Sequence, residues 1–314
     1  LIEEDDLVWV HDYHLIPLGE RLRSRGITNR IGFFLHIPWP PTRLFVSLPY
    51  HERLVRTMLQ YDLIGFQTQE WLDSFLHYCT KELGAEVDEA TGSVTLDGRT
   101  VTAKAYPIGI DWDHFHAQGD SGESRQAEQR LLSSTRHRIA MIGVDRLDYS
   151  KGLPERIDGI GRFFDQHPER VRDLVYIQVA PPSREDVESY QQIRALLEQK
   201  TGQINGARSE VDVVPIRYVN RGYTHAQLYG FFRAAKIGLV TPLRDGMNLV
   251  AKEYVAAQDP EDPGVLILSR FAGAAHQLED AVLVNPHSPD DVADAIGRAL
   301  DMKIDERRER YEKM

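Results

Sequence analysis

Ten short apolar, β-branched runs alternate with longer amphipathic stretches along this chain, and that alternation restricts the fold more than any other property. The runs lie at residues 7–10, 31–35, 63–66 and 103–106, then at 138–144, 174–180, 213–218, 237–241, 265–269 and 282–284. Segments such as 153–167, 184–200 and 224–235 have helical spacing and length. An alternation of this type builds right-handed βαβ units and a mainly parallel sheet. The last six runs suffice for a complete doubly wound sheet, and the first four look like half of one. The small polar stretch Gln118-Gly119-Asp120-Ser121-Gly122-Glu123-Ser124 reads as a linker or exposed loop. The expectation is therefore α/β, with a partial first domain over residues 1–117 and a whole second domain over 118–314. The charged end Asp305-Glu306-Arg307-Arg308-Glu309-Arg310 is helical in composition and reads as a solvated helix face.

With 42% apolar and 27% charged residues, the 314-residue chain has the make-up of a soluble globular protein. No run approaches eighteen apolar residues, so a transmembrane helix is not expected. The single cysteine, Cys79, excludes an internal disulfide and suggests a reducing, cytoplasmic setting. Cys79 itself reads as a small buried apolar side chain. A net charge of −11 argues against a nucleic-acid surface. It leaves room for an anionic small ligand, since only the charge lining a pocket matters there. The opening residues Leu1-Ile2-Glu3-Glu4-Asp5-Asp6 contain neither an initiator methionine nor a signal peptide. They suggest a chain that begins part-way through a longer protein.

Chemistry concentrates where strands end. Pro242-Leu243-Arg244-Asp245-Gly246-Met247-Asn248-Leu249-Val250-Ala251-Lys252-Glu253 follows the run at 237–241 and leads into good helix formers. In open α/β sheets, ligands bind at the carboxyl ends of the strands. Gly246 admits a ligand close to the backbone, and the amides of Met247, Asn248 and Leu249 are first-turn donors for hydroxyl or phosphate oxygens. Asp245 offers a carboxylate to a sugar hydroxyl pair, and Glu253 lies further along the same helix. A surface turn with scattered charges is the plainer alternative.

Arg146 and Lys151 follow the run at 138–144 in a loop containing Gly152. Two cations there would stabilise a nucleotide-diphosphate leaving group as its charge grows; an exposed basic pair at a helix entry is the alternative. His36 ends Phe33-Phe34-Leu35-His36 and is either a satisfied core group or a ring presented to substrate. His11, Asp12 and His14 have the residue types of a metal site, but the spacing is short and no further ligand is near. Asp111-Trp112-Asp113 resembles a metal-binding Asp-x-Asp, yet a cap or turn role suits its place better. Arg184, after the run at 174–180, suits bidentate phosphate binding or an exposed first helical turn. Gly159-Ile160-Gly161 has no preceding strand and is not a dinucleotide fingerprint.

The 242–254 block resembles the donor-sugar loop of the retaining trehalose-6-phosphate synthases, a glycosyltransferase family with the two-domain GT-B fold. Trp9-Val10-His11-Asp12-Tyr13-His14-Leu15, Arg30–Pro38, Tyr61–Thr68, Tyr106–Ile110, Arg146–Arg156 and Phe271–Ala275 are similar to the same family and occur in its order. The resemblance implies two Rossmann-like doubly wound domains, the first incomplete here, with the acceptor side first and the donor side second. It implies a retaining transfer of glucose from a nucleotide sugar, UDP-glucose being expected, to glucose 6-phosphate. Arg146 and Lys151 would contact the donor phosphates and His36 a hydroxyl of the transferred glucose. Asp245, Gly246, Met247, Asn248, Leu249 and Glu253 would complete the donor site, Glu253 on the ribose. Asp12 and Arg184 would bind the acceptor, Arg184 through its phosphate.

No metal and no cofactor is expected, because the nucleotide sugar is a substrate and the cations do a metal's work. No nucleic-acid or membrane partner is expected, and a homo-oligomer is allowed but not required. Family members carry a further N-terminal segment with a glycine-rich loop and a C-terminal helix that crosses back, and both are expected to be missing here. The alternatives keep the fold: a glucosylglycerol-phosphate synthase, a pseudo-glycosyltransferase, or a non-catalytic regulatory subunit of a trehalose-synthesis complex.

Overall fold

The computed structural model describes residues 2–136, 138–182 and 188–314. Its contacts divide the chain into two units, Leu1–Ile108 and Gly109–Met314. The division falls earlier than the expected 117/118, and the reason is packing. Helix Trp112–Gly119 seats Phe115, only 5% exposed, in the core of the second unit. There the Phe115 ring lies 5.2 Å from that of Tyr229. The polar stretch 118–124 is a helix-to-helix corner rather than a linker. Ser121 caps helix Gly122–Thr135 by accepting from the Ser124 amide at 3.0 Å.

The first unit holds β1 (Val8–His11), β2 (Ile31–Phe34), β3 (Leu63–Phe66), β4 (Glu86–Asp88), β5 (Ser93–Leu96) and β6 (Arg99–Ala105). They form one sheet in the order β1-β2-β3-β6-β5-β4. β1, β2, β3 and β6 are parallel, as the apolar runs imply; β5 and β4 add an antiparallel edge. Sequence patterning missed that edge because these strands are short and polar. The available signal was Asp97-Gly98, whose positive φ values of 51° and 77° make the tight turn between β5 and β6. One face of the sheet buries Val10, Ile31, Phe33, Ile64 and Val101 against helices that include Gln69–Leu83. That helix is capped by the Thr68 side chain at its start and by left-handed Gly84 at its end. Cys79 is fully buried on it, and burial pushes its thiol up to about 12.

The second unit holds β7 (Ile139–Val144), β8 (Leu174–Val179), β9 (Ile216–Val219), β10 (Ile237–Val240), β11 (Val265–Ser269) and β12 (Val282–Val284). All are parallel, in the order β12-β11-β10-β7-β8-β9. Numbered within the unit this is 6-5-4-1-2-3, the doubly wound order, and the direction of winding reverses between β7 and β10. Strand side chains alternate between the two faces. Ala140, Ile142 and Val144 pack towards helices His225–Ala234 and Leu249–Ala256, whereas Met141 joins Leu153–Gln166 and Pro289–Asp301 on the other side. Burial on both faces is why the inner strands β7, β10 and β11 read as near-continuous apolar runs.

Two helices depart from expectation. The segment expected at 184–200 is described from Glu188 and continues to Arg208. The charged C-terminal stretch forms helix Ile304–Lys313, but its arginines are not a merely solvated face. Arg307 donates to Asp262 Oδ1 at 2.8 Å and to the Pro263 carbonyl at 2.6 Å, and Arg310 reaches the Asp280 carbonyl at 2.8 Å. No helix among the described residues is long and apolar enough to cross a membrane.

A buried ion pair underlies the reversal point. Arg156 Nη1 donates to Asp145 Oδ2 at 2.6 Å, with side chains 0% and 1% exposed. Its Nε reaches Thr241 Oγ1 at 2.8 Å and Nη1 also reaches Gln178 Oε1 at 3.0 Å. Burial opposes the guanidinium charge, but the Asp145 carboxylate and Tyr176 together outweigh it and raise the Arg156 pKa. Removing one partner of such a pair leaves an uncompensated buried charge. Asp145→Ala is therefore expected to destabilise the second unit by about 3–5 kcal/mol, read from urea unfolding; a loss below about 1 kcal/mol would contradict the role assigned to the pair.

Candidate active site

The loops after β7, β10 and β11 meet at the reversal point of the second sheet. Asp145 ends β7, and Asp148 then accepts from the Ser150 amide and hydroxyl, each at 2.9 Å, which shapes the single turn Tyr149–Lys151. Gly152 follows with φ 63°, and a Cβ there would meet the Thr241 carbonyl oxygen at 2.7 Å. A glycine is required on both counts. The loop after β10 is fastened by its main chain. Leu243 N donates to Ser150 O at 2.9 Å and Asp245 N to Phe271 O at 3.1 Å. Ala274 N donates to Met247 O at 2.7 Å. The Phe271–Ala275 block singled out in the sequence thus serves as the brace of the Asp245 loop.

Within this frame Lys151 Nζ donates to Asp245 Oδ2 at 2.5 Å, each side chain being 16% exposed. Asn248 Nδ2 donates to the same oxygen at 2.9 Å, while Asn248 Oδ1 accepts from the Ala251 amide and caps helix Leu249–Ala256. Asn248 adopts φ 75°, which Asn tolerates better than most residues. Among the described residues no acceptor meets the amides of Met247, Asn248 or Leu249, which leaves these donors without a described protein partner. Gly246, Met247 and Asn248 are buried. Arg146 is exposed and makes no ion pair with a described residue. The side-chain carboxylate of Glu253, half-buried on the same helix, receives no hydrogen bond from a described residue. Burial raises its pKa, opposed only in part by nearby His225. A pair of cations, a coordinated carboxylate, three free amides and an unpartnered second carboxylate make a site suited to a diphosphate joined to polyhydroxylated groups.

The first unit carries a second group at the carboxyl ends of β1 and β2. Asp12 N donates to the Phe34 carbonyl at 2.8 Å, and its carboxylate accepts from Tyr13 N at 3.0 Å. Asp12 itself has φ 70° and ψ 163°, a region nearly confined to glycine and costing of order 1–3 kcal/mol. His11 Nδ1 and His36 Nε2 lie 2.9 Å apart in a hydrogen bond. Sequence spacing did not pair these rings; parallel register did, since His11 stands opposite Phe34. His14 stacks on Tyr13 at 3.8 Å instead of joining them.

No group of three or more His, Cys, Asp or Glu placed to hold a metal occurs among the described residues. Asp111 caps helix Trp112–Gly119 by accepting from His114 N at 3.0 Å, and Asp113 lies in its first turn. Arg184 lies outside the described residues. Sequence reasoning gave no role to Asp145, Arg156, Thr241 or Gln178, which underpin the loops after β7 and β10.

Two α/β units built on parallel strands, the second with a cation–carboxylate site at its winding reversal, define a GT-B-type glycosyltransferase. The family model described as glycosyltransferase family 20 matches residues 1–314, and the chain belongs to that family. A trehalose-6-phosphate synthase of Sinorhizobium fredii is 46% identical over 314 residues, covering 100% of this chain and 68% of the relative. Among solved structures, an α,α-trehalose-phosphate synthase (UDP-forming) from Burkholderia xenovorans in complex with glucose 6-phosphate superposes with a TM-score of 0.96 at 46% identity. It is covered to 70%, and all of this chain is covered in turn. The Escherichia coli protein bound with UDP-2-fluoro glucose has a TM-score of 0.94 at 43% identity, over 99% of this chain and 69% of that one. The chain thus spans about two thirds of the length of the relatives it matches.

The raised pKa of Glu253 has a consequence for stability. A carboxyl whose folded pKa lies above its unfolded value favours the folded state when protonated, and that contribution is lost as pH rises through the folded pKa. At neutral pH the ionised Glu253 is therefore a net cost. Glu253→Gln is expected to raise Tm at pH 7, with the stability gain vanishing below pH ~4. A lowered Tm at pH 7, measured by calorimetry, would contradict the unpartnered carboxylate.

Proposed function

We propose that this protein transfers glucose, with retention, from a nucleotide sugar to glucose 6-phosphate, giving α,α-trehalose 6-phosphate; UDP-glucose is the expected donor. The observation that carries the reading is the Lys151–Asp245 pair at 2.5 Å, with exposed Arg146 in the same loop after β7, at the point where a doubly wound sheet binds its ligand. The substrates printed for the related structures, UDP-2-fluoro glucose and glucose 6-phosphate, support the choice of donor and acceptor.

In this mechanism the bond from glucose C1 to the diphosphate oxygen breaks and a bond from C1 to the acceptor oxygen forms on the same face. The acceptor's hydroxyl proton passes to the departing phosphate oxygen. Arg146 and Lys151 stabilise the charge that grows on the diphosphate, and no metal is required for that role. Asp245 fixes Lys151 and faces sugar hydroxyls, the Met247–Leu249 amides receive phosphate or hydroxyl oxygens, and Glu253 takes the ribose. Asp12 binds acceptor hydroxyls, His36 a hydroxyl of the transferred glucose, and Arg184 the acceptor phosphate. The protein contributes positioning and electrostatics more than acid–base groups. The lone buried Cys79 supports a cytoplasmic setting.

Arg146→Ala and Lys151→Ala in the full-length protein are each expected to lower turnover by two to four orders of magnitude, roughly 3–5 kcal/mol of transition-state stabilisation. Arg146→Ala should leave Tm unchanged. Lys151→Ala should lower it, because Asp245 loses the cation it holds. Near-normal turnover in both variants would remove the donor-site assignment. Trehalose 6-phosphate formation from UDP-glucose should also survive a strong chelator; complete loss restored by magnesium or manganese would require a metal site. Glucosyl transfer to another acceptor in the same assay, with none to glucose 6-phosphate, would replace the acceptor proposed here.

A further inference from the structure

Two histidines, His11 at the end of β1 and His36 just past β2, are held next to each other by the sheet, their rings tilted by 31° with centroids 5.2 Å apart. Register places His11 opposite Phe34, and the Asp12 amide bonded to the Phe34 carbonyl at 2.8 Å locks the strand ends together. Trp9 and Phe34 flank the His11 ring, with centroids 5.8 and 6.5 Å away. Trp9 lies across Gly32, where a Cβ would stand 2.0 Å from its ring, so the tryptophan rests on the sheet surface. The His36 ring, 4.8 Å from Phe34, meets His11 with 2.9 Å between His11 Nδ1 and His36 Nε2.

At that distance one nitrogen must carry the proton and the other must accept it. Were both rings charged, two N–H groups would point at each other, so the pair takes up at most one proton while the contact lasts. We infer that His11 is a positioning residue for His36, fixing its tautomer and orientation so that His36 Nδ1 is the ring nitrogen left free for a sugar hydroxyl. The inference deepens the proposed function and rests on its assignment of His36 to the donor sugar.

The electrostatics agree with the geometry. Burial lowers the His36 pKa, the Asp12 carboxylate opposes that, and His11 lowers it further. Those two are the charged groups acting on the ring among the described residues; Trp9 and Phe34, from the strands packed beside it, carry no charge. His36 is thereby kept neutral at neutral pH, and the acid limb of a pH profile reports the pair. Removing His11 removes a lowering influence, so the limb moves to higher pH.

The test compares His11→Phe, which fills the space without a hydrogen bond, with His11→Asn, whose amide sits where Nδ1 was. In the full-length protein His11→Phe should lower kcat by ~10- to 100-fold with a smaller change in KM for the nucleotide sugar. Its acid limb should shift upward, and His11→Asn should recover most of the loss. Independently of activity, 15N-histidine spectra of the unliganded protein should show His36 as a single tautomer in wild type and His11→Asn, and as a mixture in His11→Phe. Wild-type kinetics in His11→Phe, or equal damage in both variants, would overturn the inference. So would a His36 tautomer mixture that is already present in wild type. If the wild-type protein transfers no glucose, the proposed function fails and the tautomer measurement alone decides the role of His11.

Discussion

A fully buried guanidinium cannot be left without partners, and Arg156 satisfies that requirement in a way that organises the second unit. It rises from helix Leu153–Gln166 and binds Asp145 at the end of β7, Gln178 in β8 and Thr241 just past β10. Breaking any one of these contacts exposes a charge to a low-dielectric interior, so the three elements are held in common. Asp145 and Thr241 are also where the two site loops begin. The positions of Lys151 and Asp245 therefore descend from an interaction made outside the pair itself.

Most of the fold was legible because burial writes a simple pattern. The inner strands β7, β10 and β11 are covered on both faces and appear in the sequence as near-continuous apolar runs, whereas edge strand β9 buries only Ile216 and carries Arg217. The hairpin of β4 and β5 was not legible: only Val94 of Ser93–Leu96 is fully buried, so there was little apolar pattern to read. The unit boundary failed for a related reason. Small polar residues at 118–124 look like a linker, but Ser121 uses its hydroxyl as a helix cap, and composition cannot separate the two uses. The arginines of Ile304–Lys313 likewise look solvated until the loops they reach are placed in space.

The site divides along the same line. Loops that follow a strand end and carry glycine, charge and amide in close succession can be picked out from local sequence, and Arg146, Lys151, Asp245 and Glu253 were singled out as candidates in that way. Partners far apart in sequence cannot. Lys151 and Asp245 are brought together by strand order, and His11 and His36 by register between neighbouring strands. Nothing near Arg156 distinguished it from an exposed helical arginine, because its meaning lies in three residues contributed by other strands.

The loops after β7, β10 and β11 are stitched to one another chiefly by peptide groups: Ser150 to Leu243, Phe271 to Asp245, Met247 to Ala274. A platform joined through atoms common to all residues is largely indifferent to which side chains decorate it. Substitution can then reshape what the platform grips without dismantling the grip itself. The fold leaves ligand preference free to drift while the scaffold that presents it stays put.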